Sequence, residues 1–484
     1  MSEPGRELSK TFCIFPWIHL ALFPEGSVKL CCVANGQIQH DGGSLSVQHH
    51  RLEDIWNSPA MQAVRRDMLA GEKVQPCMDC YHSEARSGES HRTLSNARWA
   101  QQLGSHFHEL IAESQARNHV LSSLPLYYQL MPGNVCNLKC RMCRPTFSSR
   151  IERDDVHRPW TYTLVQPSPA SERQNMQVFG PDGGSRLPDG PWYRDDAWID
   201  EVLLRNSHEL EALYFTGGEP MLEKQVERIL QELIRRGVAP KITLDLNTNC
   251  TVLRDSMLSK LRRFKAVNFG LSLDGFGSVL EYIRYPAKWP VICRNIETLV
   301  ELAGDRARWY IGATPVLQVY NALNIVSLLQ FLDGKKIPYH IRPASLPWFL
   351  DIGVLPRPAR SLAAQRLNAY AADGGLAAEQ RTHVLSLVKH IESIEDRGRD
   401  HRAWRTLMLF TNDLDASRGQ SFREVNAEPL GFFTAAGFAW DDQVRSTPAD
   451  IAGAARPAPS VGIKALAKRV LKKTAHMLVP SVQE

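Results

Sequence analysis

Ten cysteines stand at positions 13, 31, 32, 77, 80, 136, 140, 143, 250 and 293, crowded towards the first third of the chain. Three of them, Cys136, Cys140 and Cys143, form the segment GNVCNLKCRMC, shortly after an apolar run. Thiolates at spacings of four and three fit a compact loop wrapped round one face of an iron–sulfur cube. A [4Fe–4S] cluster takes four soft ligands, so three leave one iron open to a small molecule. The competing reading is a structural zinc loop. It would need a fourth ligand, for which His157 is the nearest downstream candidate.

Further polar residues stand at the ends of apolar runs. LYFTGGEPML carries Gly217, Gly218 and Glu219; LDLNTNC carries Asn247, Thr248 and Asn249; LSLDG carries Ser272 and Asp274. Glycines let backbone approach a ligand closely. A carboxylate at a strand end can pair with an ammonium group. Polar side chains at such ends suit ribose hydroxyls, although Asn and Asp also end strands for turn reasons alone.

CxxxCxxC after a first strand, followed by GGEP after a second, resembles the signature of radical S-adenosylmethionine (radical SAM) enzymes. The resemblance implies an open-site [4Fe–4S] cluster on Cys136, Cys140 and Cys143, with S-adenosylmethionine on the open iron. It places Gly217, Gly218 and Glu219 at the methionine amino group and Asn247, Asn249, Ser272 and Asp274 at the ribose. Met142 departs from the aromatic residue frequent before the last cysteine, which leaves adenine stacking without support.

Nearer the N-terminus, Cys13, Gly26, Cys31 and the Cys77–Cys80 pair resemble a twitch element, the short form of a SPASM domain. That resemblance implies one auxiliary [4Fe–4S] cluster on Cys13, Cys31, Cys77 and Cys80. Spacing after Gly26 favours Cys31 over Cys32, and a four-cysteine zinc site is the alternative. The longer SPASM pattern continues with a cysteine where this chain has Arg86, so a second auxiliary cluster is not expected. Cys250 and Cys293 read as buried, unligated thiols.

These residues need strands to hold them. β-rich runs recur at Leu124–Met131, Ala212–Thr216, Ile242–Asn247, Ala266–Leu273, Trp309–Val316 and Tyr339–Ile341. Helical patterns lie between several of them: Lys224–Arg236, Val252–Arg263, Val291–Ala303 and Ala322–Asp333. Such alternation predicts an α/β fold, a partial (β/α)6 TIM-like barrel with its chemistry at the C-terminal strand ends. The expected organisation is a Cys-rich twitch element over 1–100 and a core over 124–345 with an insertion at 153–192. A mainly helical region over 346–445, a linker over 446–460 and a basic amphipathic tail over 461–484 follow. Within the first and third regions, Leu52–Ala70, Leu94–Ser114 and Arg360–Ile394 read as helical stretches.

Bulk composition adds limits. The 484 residues are 43% hydrophobic and 23% charged, with 57 Lys+Arg against 52 Asp+Glu, a net charge of +5. That excludes collagen-like, coiled-coil and wholly disordered chains and gives no ground to expect nucleic acid. No apolar run reaches the roughly 18 residues of a membrane span. The polar start, Met1–Lys10, is unlike a signal peptide, so a cytoplasmic protein is expected.

The resemblance implies reductive cleavage of S-adenosylmethionine to a 5′-deoxyadenosyl radical and oxidative modification of an unactivated C–H. The expected substrate is a ribosomal peptide in natural-product maturation; a sugar, aminocyclitol or other small metabolite is the alternative. A flavodoxin or ferredoxin-type reductant would feed the cluster, and the basic tail could meet a partner protein or membrane surface. Arg284 could hold a substrate carboxylate or phosphate, or be a surface arginine on a loop. Tyr320 and Asn321 receive no role. Asp413, Asp415 and Arg418 could form a network or simply end a helix.

Overall fold

Alternation of apolar and polar residues gives the central strands two unlike faces. In Thr243–Thr248 (TLDLNT), Leu244 and Leu246 lie on one side and Asp245 and Asn247 on the other. Ala266–Leu271 repeats this, with Val267, Phe269 and Leu271 buried and Asn268 and Gly270 on the opposite face. Successive strand side chains point to opposite faces, so one face packs under helices and the other stays polar.

The computed structural model describes residues 8–40, 43–161, 190–304, 308–344, 346–394 and 401–454. Its strands are β1 His19–Leu22, β2 Val28–Lys29, β3 Gln39–His40, β4 Gly43–Ser44, β5 Tyr127–Leu130 and β6 Ala212–Phe215. They continue with β7 Thr243–Thr248, β8 Ala266–Leu271, β9 Trp309–Ala313, β10 Val316–Leu317 and β11 Arg342–Pro343. The main sheet runs β2-β1-β5-β6-β7-β8-β9, and β5 through β9 are parallel. The chain then bridges Ala313 to Tyr339 and pairs β10 with β11, both in parallel. The expected sixth strand, Tyr339–Ile341, thus contributes one bridge, and the ladder proper falls one residue later, on Arg342–Pro343.

Crossover helices cover the apolar face. Lys224–Arg235 joins β6 to β7 and buries Val226, Ile229, Leu230 and Leu233, one stripe at helical spacing. Asp255–Leu261, Trp289–Gly304 and Ile325–Gly334 do the same for later strands. Register sets one row across the opposite face: Ala21, Gln129, Tyr214, Asp245, Asn268 and Tyr310 are successive partners.

The N-terminal element is not a separate appendage. β1 pairs in parallel with β5, so it extends the sheet on the side where the cysteine loop emerges. Several sequence expectations change in detail. Leu94–Ser114 is two helices, His91–Leu103 and Ser105–Ala116, divided at Gly104 with φ +56°. Leu52–Ala70 divides into Leu52–Trp56 and Pro59–Leu69, and Arg360–Ile394 into Arg357–Ala372 and Ala378–Ser393.

The expected linker folds in part. Pro448–Ala454 is a helix, because Thr447 and Asp450 cap each other: Asp450 N donates to Thr447 Oγ1 (3.2 Å) and Thr447 N to Asp450 Oδ2 (3.0 Å). Residues 162–189 of the expected insertion and the basic tail 461–484 lie outside the described residues. Among the described residues no helix is long and apolar enough to cross a membrane.

Candidate active site

The loop with Cys136, Cys140 and Cys143 leaves the C-terminal end of β5, and the Gly-Gly turn after β6 lies directly on it. Glu219 N donates to Val135 O at 2.7 Å, one residue before Cys136. A Cβ on Gly218 would stand 2.2 Å from that same Val135 carbonyl oxygen, so no larger residue fits. Gly217 has φ +102°, in the region that favours glycine. The two glycines therefore let β6 seat the cysteine loop by close backbone approach.

The loop is also tied across the barrel. Lys139 N donates to Tyr285 O (2.6 Å) and Arg141 N to Ile283 O (2.9 Å), both at or just past the end of the helix Ser278–Ile283 that follows β8. Ser148 Oγ donates to Leu138 O (2.6 Å), and Lys139 pairs with Asp154 at 2.6 Å.

Burial pushes all three thiols up. Cys136 is raised by burial and then by Cys140 and Cys143, and Cys143 is pushed up to about 12 by burial and Cys140. Cys140 is raised by burial against the pull of Arg284. Burial and mutual repulsion outweigh the nearby arginines and favour protonated thiols; binding an iron–sulfur core replaces those protons with metal charge. The donor set fits such a group. A zinc reading lacks its fourth ligand here, because buried His157 is engaged at Nδ1 by Arg418 Nη2 (3.0 Å) and packs on Phe410.

Glu219 is 1% exposed and holds β7 in place. Oε1 accepts from Thr248 Oγ1 (2.9 Å) and Met221 N (3.1 Å), and Oε2 accepts from Asn249 N (2.7 Å). Burial lifts its carboxyl to about 7 despite these donors. Asn249 Nδ2 reaches Asn137 Oδ1 (3.1 Å) and lies 3.9 Å from Cys136 Sγ, so the β7 end touches the cysteine loop. Asn247, half-buried on the polar face, donates to Tyr214 Oη at 2.6 Å. Ser272 follows β8, and its N donates to Thr248 O at 2.8 Å.

Asp274 and Arg284 sit differently from the other strand-end residues. Asp274 is fully buried, pairs with Arg284 at 2.6 Å and accepts from Val316 N at 2.9 Å. Arg284 Nη1 also approaches Cys140 Sγ at 3.8 Å. Burial alone would lower this guanidinium, but Asp274 and then Cys140 hold it above its ordinary value. Arg284 is thus held within the site, its guanidinium between Asp274 and a cysteine, and is not a surface arginine.

The second set gathers Cys13, Cys31, Cys77 and Cys80. The turn Phe23–Gly26 closes β1 on β2, with Gly26 N donating to Phe23 O (2.9 Å). Gly26 has φ +84°, and a Cβ there would stand 2.5 Å from Gln48 Cγ. That turn delivers Cys31 after β2. Cys77 precedes the helix Met78–Ser87 and Cys80 sits one turn along, so both share a face.

Burial raises Cys13, then Cys77 does; Cys31 is raised by burial, then by Cys32, Cys13 and Cys77. Burial and Cys80 push Cys77 up to about 12. These four buried thiols fit a closed cluster on the same argument. Cys32 is exposed, with Sγ 3.8 Å from His91 Nε2. Cys250 is fully buried and Cys293 half-buried.

Sequence reasoning missed the support from the C-terminal region. Asp413 accepts from Trp160 Nε1 (3.0 Å), Asp415 pairs with Arg141, and Arg418 with His157. They form no network among themselves; each braces the segment that follows the cysteine loop or the loop itself. Tyr320 Oη bonds Thr411 Oγ1 (2.7 Å), and Asn321 Nδ2 donates to Asp274 O (2.7 Å).

The radical SAM superfamily model matches residues 130–317, and the SPASM model, an iron–sulfur cluster-binding domain, matches residues 13–81. Similar solved structures include Streptococcus suis SuiB bound to S-adenosylmethionine, at 13% identity and TM-score 0.32, over 58% of this chain and 55% of that one. Native anSMEcpe with bound AdoMet is similar at 17% identity and TM-score 0.33, over 51% of this chain and 61% of that one. SuiB bound to precursor peptide SuiA aligns at 15% identity and TM-score 0.32, over 66% of this chain and 52% of that one. The chain thus spans little more than half the length of these structures. No curated protein matches it in sequence.

Proposed function

We propose, for a chain that belongs to the radical SAM superfamily and carries a SPASM iron–sulfur domain before its barrel, an oxidation of an unactivated C–H bond. The observation that carries this is the three-thiol loop seated by Gly218 on the end of β6. Cys136, Cys140 and Cys143 would hold the first [4Fe–4S] cluster; Cys13, Cys31, Cys77 and Cys80 would hold the auxiliary one. When bound, the clusters and S-adenosylmethionine supply reductive sulfonium cleavage and a one-electron acceptor.

The chain's own residues do the rest. Gly217 and Gly218 open backbone to the methionine end of the cofactor. Ionised Glu219 fixes Thr248 and Asn249, and offers negative charge towards an ammonium group. Asn247, Asn249 and Ser272 line the strand ends where ribose hydroxyls would bind. Asp274 acts through Arg284 rather than on ribose.

The polar sheet face supports the choice of substrate class. Tyr310 is 60% exposed and Asn268 and Asn247 are half-buried, so that face is open towards β8 and β9, while Ala21, Gln129 and Asp245 are buried. Hydrogen-bonding groups open at that end suit an extended peptide, and we assign a ribosomal peptide as substrate. The electron would come from a flavodoxin or ferredoxin-type donor. Anaerobic incubation with dithionite and S-adenosylmethionine tests the activity: 5′-deoxyadenosine should form. A peptide product lighter by two hydrogens supports oxidation, and an added carbon refutes it in favour of methylation.

A further inference from the structure

The cysteine loop is fastened by a part of the chain that neither family model reaches. Arg141 lies between Cys140 and Cys143, and its side chain is 0% exposed. The guanidinium donates to Tyr282 O (3.0 Å) and Gln420 Oε1 (3.0 Å) and pairs with Asp415. It lies 3.7 Å from the Tyr282 ring centre and 5.4 Å from that of Tyr320. Asp415 belongs to the helix His401–Arg418, well past residue 317 where the radical SAM match ends. Its other oxygen accepts from Phe422 N at 2.6 Å, which fixes the carboxylate in turn.

An ion pair with its guanidinium fully buried and its carboxylate largely so is a costly way to hold a loop, since desolvation offsets much of the attraction. Packing alone would be served by an apolar side chain. What an apolar side chain lacks is charge placed between two cysteines. The charged groups that act directly on Cys140 are Arg284, Asp274 and Arg418; Arg141 is a further cation of the same loop, turned onto Tyr282 and Asp415. Asp274 neutralises Arg284, and Asp415 neutralises Arg141. Arg284 and Arg141 therefore each have a carboxylate, one from the barrel and one from the C-terminal helix, whereas Arg418 meets His157.

We propose that Asp415 is a positioning residue that acts through Arg141: it orients the middle of the cysteine loop and screens a positive charge from the cluster ligands. This rests on Cys136, Cys140 and Cys143 being those ligands. Reduction adds negative charge to a cluster, so an unscreened cation beside it favours the reduced form.

The test is a potentiometric titration of the reconstituted full chain, followed by electron paramagnetic resonance. The C136A/C140A/C143A variant gives the auxiliary cluster alone. In Asp415→Asn, the midpoint of the S-adenosylmethionine-responsive cluster should move positive while the auxiliary midpoint stays. Asp415→Glu should restore the original value. An unmoved or negative midpoint, or equal shifts of both clusters, overturns the proposal.

Should Asp415→Asn not fold, Gln420→Leu removes one acceptor and no charge. Iron should then leave the first cluster to a chelator several-fold faster than in the unchanged chain. An unchanged rate overturns the positioning role. Full iron in the triple cysteine variant would instead sink the ligand assignment, so the two failures are told apart.

Discussion

The two cysteine regions are built to opposite ends. The N-terminal set is local: a β-turn at Gly26 and one helical turn at Cys77–Cys80 bring four buried thiols together. The loop set is supported from afar: Gly218 from β6, Asn249 from β7, Arg284 from beyond β8 and Asp415 from the C-terminal helix all converge on three thiols. A closed cluster needs only its own ligands. A cluster that must keep one position open needs an external frame, because no fourth thiolate fixes it. The strand β1 joins the two regions by pairing with β5, from whose end the loop begins.

The largest expected effect separates the regions outright. Changing Cys136, Cys140 and Cys143 to Ala should remove about half of about eight irons and abolish S-adenosylmethionine cleavage. Changing Cys13, Cys31, Cys77 and Cys80 should remove the other half and leave binding of S-adenosylmethionine. Iron analysis of both variants, with a calorimetric titration of the second, checks this.

Gly218→Ala comes next. Its Cβ cannot coexist with the Val135 carbonyl oxygen at 2.2 Å, so the loop must move. Misplacement of about an ångström costs roughly 10²-fold in rate. Turnover should fall by about that factor with the auxiliary cluster's spectrum unchanged; loss of both signals together would blur the distinction between a framed and a self-contained site.

Glu219→Gln should act through pH. Burial raises the folded value to about 7, above the ordinary carboxylate range. Stability from the protonated form is therefore present in acid and lost as pH rises through about 7. The ionised form is the one that faces an ammonium, so S-adenosylmethionine affinity should strengthen over that same rise. Gln at this position should flatten the profile and cost about 1.5–3 kcal/mol of binding, the worth of hydrogen bonds to a charged group. A calorimetric pH series reads both.

The smallest effect is expected at the adjacent pair. Cys31→Ser should lose auxiliary iron, whereas Cys32→Ser, at an exposed position, should keep it. Equal loss from both would make the N-terminal set less local than it looks.

Much of this was legible because cysteine spacing and Gly-Gly-Glu carry their own geometry. The strand–helix alternation from Leu124 onward was legible for the same reason, since periodicity reports the covered face. What escaped was long-range. Arg141 meets Asp415 across 274 positions, and nothing local to either marks the pair. Asp274 reads like any polar residue at a strand end; nothing local to it marks its ion pair with Arg284. The helix Pro448–Ala454 was hidden by a Pro- and Ala-rich composition, although Thr447 and Asp450 stand at capping-box spacing.

The most direct test of the central claim is electron paramagnetic resonance of anaerobically reconstituted, reduced protein before and after addition of S-adenosylmethionine. A cluster framed on three cysteines should give a signal that changes on addition, and the triple cysteine variant should give one that does not. A signal indifferent to the cofactor in the unchanged chain would contradict an open iron at Cys136, Cys140 and Cys143.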